Sequence, residues 1–110
     1  MIYFIQQDSN GPIKIGHTNN DIKARVYQLQ TASPLPLTLI GTIQGDKEKE
    51  VEIHNKFKKY HIRGEWFKFS PKIISFIFTA VAKDRAKASV EKIDNGFLSS
   101  LHPIFQSLIP

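Results

Sequence analysis

The sequence predicts one small α/β domain, and three observations carry that prediction. Residues 1–17 and 37–44 are rich in β-branched and aromatic side chains with strand-like alternation. Residues 20–31 and 46–60 place side chains at helical spacing, and a well-capped run follows Ser70-Pro71. The length, 110 residues, suits one domain with a single modest core.

Each element has its own justification. Residues 1–7 form a strand, Asp8-Ser9-Asn10-Gly11-Pro12 is dense turn chemistry, and residues 13–17 return as a second strand. Ile2 and Phe4 share one strand face, as do Ile13 and Ile15. Pairing Phe4 with Ile13 and Ile2 with Ile15 joins these apolar sets and puts Tyr3 opposite Lys14 on the other face. Thr18-Asn19-Asn20-Asp21 offers candidate N-caps for a helix over 20–31, whose stripe is Ile22, Val26 and Leu29 with Arg25 at its border. Ser33-Pro34-Leu35-Pro36 ends it, because the residue before proline resists helical geometry. Residues 37–44 are a third strand.

Gly45-Asp46 opens a helix over 46–60 that aligns Glu50, Ile53, His54, Phe57 and Tyr60 on one side. Gly64 to Phe69 reads as a short extended segment. Ser70-Pro71 is an N-cap and first-turn pair for a long helix to about residue 93, which Asn95-Gly96 would end. The last 14 residues are too apolar for a free tail and are expected to pack on the domain or on a second copy.

Composition narrows the chemistry. The formal net charge is +5 with a pI near 9.6, which favours a polyanionic partner. The absence of cysteine excludes disulfides, thiolate metal sites and cysteine nucleophiles. No signal peptide is expected, and the apolar run 73–82 is half of what a membrane span needs, so the expected location is cytoplasmic with no membrane partner. From 54 to 68, Lys56, Lys58, Lys59, Arg63 and Lys68 face Glu65 alone, interleaved with Phe57, Tyr60 and Trp66. Such a patch either tracks a nucleic-acid backbone or is a solvated helix face.

Tyr3, Lys14-Ile15-Gly16, Thr18, Arg25 and Glu50 occur in the order of the signature of the GIY-YIG nuclease superfamily, which this chain resembles over about residues 1–70. The nearer likeness is to a phage and bacterial branch with a K-I-G second motif. That branch also carries a Glu-x-x-x-His helix, here Glu50 and His54, and a G-E-W-F segment, here 64–67. Met1-Ile2-Tyr3 stands where G-I-Y is usual, Lys14 where most members have tyrosine, and Leu29 where many have histidine.

The resemblance implies an α+β domain with a small three-stranded antiparallel sheet flanked by helices, to which residues 71–110 add a C-terminal helix and tail. It implies hydrolysis of DNA phosphodiesters with one divalent ion, Mg²⁺ or Mn²⁺, held by Glu50. Tyr3 would position or deprotonate the attacking water, and Arg25 would clamp the phosphate. Lys14 would serve as a phosphate-binding cation, or as a base if its pKa were lowered; Tyr27 and His54 are candidates for the remaining proton transfers.

Each residue also has an ordinary reading. Tyr3 is a strand packing residue, Lys14 a solvent-facing lysine, Arg25 a snorkelling side chain, and Glu50 part of a charged helix start where Glu52 is its rival. Glu65 is a second acid or merely part of a core strand. Two other functions therefore stand beside the nuclease: a nucleic-acid-binding module without catalysis, and an interaction protein that forms a homodimer through residues 71–110.

Overall fold

The computed structural model describes residues 1–92. Five strands and three helices follow one another as β1 (Ile2–Gln7), β2 (Ile13–His17), α1 (Ile22–Thr31), β3 (Leu37–Ile43), α2 (Lys47–Lys56), β4 (His61–Arg63), β5 (Trp66–Phe67) and α3 (Pro71–Lys92), with a 3₁₀ turn (Lys58–Tyr60) after α2. The sheet is antiparallel in the order β3-β1-β2-β5-β4. It thus has five strands, where three were expected.

The two additional strands come from the segment after α2. The helix stops at Phe57, and Lys58-Lys59-Tyr60 tighten into the 3₁₀ turn, so the helix expected to reach residue 60 is shorter. Gly64 then takes φ = +55°, left-handed backbone that favours glycine, and a two-residue Gly64-Glu65 loop folds β4 onto β5. β5 joins β2 through Ile13↔Phe67 and Lys14↔Trp66.

The β1–β2 register also differs from the expected one. Tyr3 lies opposite Gly16, Phe4 opposite Ile15 and Ile5 opposite Lys14. The shift is two residues, so Tyr3 and Lys14 keep a common face but are not cross-strand partners. The hairpin loop spans residues 8–12 and is closed by the Gln7 N–H donating to the Pro12 carbonyl at 2.9 Å, with Asp8 at φ = +58°.

The sheet separates two environments. On one face Ile2, Phe4, Ile13, Ile15 and Phe67, with Ile43 of β3, form the core with Ile53 of α2, Phe57 at its C-terminus, and Ile73 and Ile77 of α3. Phe76 closes it edge-on against Phe4 and Phe57, at 6.4 and 5.2 Å between ring centroids. Burying each such side chain contributes about 1.5–3 kcal/mol. Tyr3, Ile5, Lys14 and Gly16 point to the other face, where α1 lies.

Both later helices are capped as the sequence suggests. The Asp46 carboxylate accepts from the Lys49 N–H at 2.9 Å, and the Ser70 hydroxyl accepts from the Lys72 N–H at 3.2 Å. α1 is held to β3 by Gln30, whose side-chain carbonyl accepts from the Leu37 N–H at 2.7 Å. Asn95-Gly96 and the apolar tail lie outside the described residues. Among the described residues, no helix is long and apolar enough to cross a membrane.

Candidate functional site

The site begins with Gly16. A Cβ there would sit 2.4 Å from the Cζ and the hydroxyl oxygen of Tyr3, so only glycine lets the ring lie flat across β2. The ring is fully buried, and its hydroxyl accepts a hydrogen bond from Arg25 Nε at 3.3 Å. α1 supplies that arginine from the edge of its apolar stripe. The hydrogen bond to Tyr3 is the chief cause of a guanidinium pKa raised above its usual value.

Lys14 projects from the same face. Its ammonium meets Glu65, in the β4–β5 turn, at 2.9 Å and lies 5.6 Å from the Trp66 ring centroid. Glu65 leads on to α2, because Lys47 approaches it at 3.9 Å while binding both oxygens of Glu50 at 3.1 and 3.0 Å. Glu50 is 2% exposed, the most buried acid of the described residues. Its hydrogen bonds raise the Lys47 ammonium above its usual range. Burial pushes the Glu65 carboxyl up, but Lys14, with Glu50 and Lys47, outweighs burial and holds it below the ordinary 4.5.

His54 completes the chain from the edge of β2. β5 is too short to pair with β2 along its whole length, and the Ile15 carbonyl instead meets His54 Nε2 at 2.8 Å. A carbonyl only accepts, so Nε2 carries a hydrogen. The same nitrogen lies 3.6 Å from Glu50, and the ring packs on Phe67 at 4.9 Å between centroids.

Tyr3, Lys14, Arg25, Glu50 and His54 therefore fall into one site with two branches. Among the described residues no hydrogen bond or ion pair joins the Tyr3–Arg25 pair to the ion-pair branch; the negative charge of Glu65 is a minor contribution to the raised Arg25 guanidinium. Two members were not foreseen at this weight. Lys47 was missed, because a lysine three residues before a glutamate on a helix is an ordinary surface pair. Glu65 was only one of several acids, although its place in the 64–67 segment was a usable signal. Glu50 and Glu65 share Lys47 and are the pair of carboxylates suited to a hard cation. Among the described residues no group of three or more metal-ligating side chains is assembled.

Other candidates stand apart from this network. Tyr27 is 74% exposed, and Glu52 is an exposed partner of Lys49 at 3.6 Å. The basic cluster is divided. Arg63 lines an open cleft of about 450 Å³ beside Lys14, Leu29, Leu37, Ile62 and Trp66. Lys56 and Lys59 line a separate groove against α3, while Lys58 and Lys68 are exposed and line neither.

The T5orf172 domain model matches residues 1–93. The chain belongs to the T5orf172 domain family. T5orf172 domains are nuclease-associated with a GIY-YIG-like fold, so a nuclease-like, DNA-interacting role is the coarse expectation for this one. The T5orf172 match runs past residue 70 into α3, the helix that supplies Ile73 and Ile77 to the core. No curated protein and no solved structure matches the chain.

Proposed function

We propose that this T5orf172 domain is a metal-dependent endonuclease of the GIY-YIG type that hydrolyses DNA phosphodiesters. The observation that carries the reading is the buried Glu50 carboxylate joined through Lys47 and Glu65 to Lys14, beside the Tyr3–Arg25 pair. Structural ion pairs do not require a buried tyrosine, an arginine and a strand lysine on one face.

The cations would bind the scissile phosphate. Arg25 donates through one nitrogen to Tyr3 and keeps its remaining N–H groups for phosphate oxygens. Lys14 already binds a carboxylate oxygen of Glu65 at 2.9 Å, a contact whose geometry a phosphate oxygen can take over, which supports a phosphate-binding role. The Tyr3 hydroxyl keeps its O–H and one lone pair for the attacking water. As the water oxygen bonds to phosphorus, its proton passes to the Tyr3 oxygen while the phenol hands its own O–H proton on to solvent; the bond to the leaving oxygen breaks, and that oxygen takes a proton from solvent. Arg25 and Lys14 stabilise the charge that develops. His54 directs its Nε2–H to the Ile15 carbonyl and flanks Glu50 at 3.6 Å as a neighbour of the carboxylate.

The residues fit a divalent ion, since a cationic group already lies between Glu50 and Glu65, and magnesium needs few carboxylates when phosphate and water complete its shell. Glu50, with Glu65 beside it, would hold the ion, which when bound supplies Lewis-acid stabilisation of the phosphate.

One observation favours the binding module instead: both carboxylates are already neutralised by lysines. Nicking of supercoiled plasmid with Mg²⁺ or Mn²⁺ separates the two. Glu50→Gln, Arg25→Ala and Lys14→Ala should each slow nicking by about 10²-fold or more, and Lys14→Tyr should retain part of the activity. Nicking by Glu50→Gln at the wild-type rate would refute the metal assignment. Salt-sensitive DNA binding without any wild-type cleavage would establish the binding module.

A further inference from the structure

We infer that the groove between α2, the 3₁₀ turn and α3 is a second docking site for the backbone of duplex DNA, on the sheet face opposite the Tyr3 network. The groove encloses about 930 Å³ and is lined by Lys49, Lys56, Lys59, Lys72, Lys83 and Lys87 against one acid, Asp84. Asp84 lies at the groove wall, where it accepts from the Gln44 N–H at 3.2 Å, and its single charge is outnumbered by the six lysines. Among the described residues, Lys56, Lys59, Lys72 and Lys83 have no carboxylate partner; Lys49 has Glu52. In the Tyr3 network, by contrast, Lys14 and Lys47 are both paired.

Helix geometry explains the alignment. Lys72, Phe76, Thr79, Lys83 and Lys87 all line the groove, and at 3.6 residues per turn they fall within about 80° of one another around α3. Lys72 and Lys87 are about 22 Å apart along the axis at 1.5 Å per residue, which spans about six phosphates of one strand at ~3.4 Å each. The floor is aromatic, but Lys56 Nζ covers it, 5.9 Å from the Phe57 centroid and 5.2 Å from that of Phe76. A protein partner would need an open apolar anchor, and here ammonium groups cap the rings. Point charges spaced along a helix, with no arginine fork among them, suit a sequence-blind backbone contact.

This site does not depend on cleavage and is tested without it. The wild-type 110-residue chain, Lys59→Ala/Lys72→Ala/Lys83→Ala and Lys14→Ala/Arg25→Ala are titrated with a labelled 12-base-pair duplex in EDTA over a salt series, with matched thermal melts. Wild type should bind two duplexes per chain and each variant one. The triple variant should also lose up to about 2.7 from its log–log salt slope, at ~0.9 per phosphate contact. Wild-type stoichiometry and slope in a folded triple variant would overturn the inference. So would displacement of the duplex by poly-glutamate as readily as by unlabelled duplex, which would point to an acidic protein partner. Failure of the nuclease reading is seen separately, as the absence of wild-type nicking.

Discussion

Replacing Gly16 by alanine tests how the site is built. The added Cβ would lie 2.4 Å from Tyr3 Cζ and 2.8 Å from Cε2, where carbon atoms normally stay about 3.5–4.0 Å apart. More than an ångström must be found, and the ring is fully buried with its hydroxyl held by Arg25. Overpacking of this kind costs about 1–3 kcal/mol. Alanine in a strand regains about 0.5–1 kcal/mol through the backbone freedom that glycine loses on folding. The net expectation for Gly16→Ala is a loss of about 1–2 kcal/mol, or several degrees in Tm for a domain of this size. In a Tyr3→Leu background the obstructing ring is gone, and the same change should be neutral or stabilising by up to about 1 kcal/mol. Urea melts of the four proteins give a double-mutant cycle whose coupling should approach 2 kcal/mol. Additivity within about 0.5 kcal/mol would refute the claim that Gly16 exists to seat the Tyr3 ring.

Two further predictions concern the carboxylates. Glu65 is depressed below 4.5 by Lys14, so it contributes stability that is fully present above that pH and is lost as pH falls through its lowered folded value. Glu65→Gln should therefore flatten the fall of the urea midpoint below about pH 4.5, and acid profiles parallel to wild type would contradict the assignment. Lys47→Met should destabilise the metal-free protein by about 1–3 kcal/mol, because Glu50 loses the donor to both its oxygens. It should also enlarge the rise in Tm produced by Mn²⁺, since ion and ammonium compete for one carboxylate; an Mn²⁺ shift equal to wild type would show that Glu50 is not the ligand.

What the sequence could convey depended on the length and periodicity of each element. β1, β2, β3 and the helices were legible because five or more residues of alternation or a helical stripe identify them. β5 was legible as part of the extended segment 64–69 but not its pairing with β2, and β4 was not legible, since a strand of three residues carries no pattern and the run from Phe57 to Tyr60 continues a helical spacing that the chain abandons. Alternation also cannot detect a two-residue slip, which leaves every side chain on its own face. That is why Tyr3 and Lys14 could be assigned to one face while Gly16, the true partner of Tyr3, went unnoticed. The importance of Lys47 rests on the burial of Glu50, which composition does not encode. The same holds for the division of Lys56, Lys59 and Arg63 between two surfaces.

α2 shows how one charged run serves both faces of the sheet. In composition, residues 46–52 look like a solvated helix start. At about 100° per residue, Lys47, Glu50 and His54 fall within about 60° of one another, whereas Lys49 and Lys56 lie about 180° from Lys47. The first three reach the open edge of β2 and the Tyr3 network; the other two line the groove toward α3. Ile53 and Phe57 lie between these arcs and anchor the helix in the core. Rotating α2 to improve one site would therefore displace the other and expose the core residues between them. The helix is fixed by packing, and that packing gives Glu50 a buried position that a free charged helix would not provide.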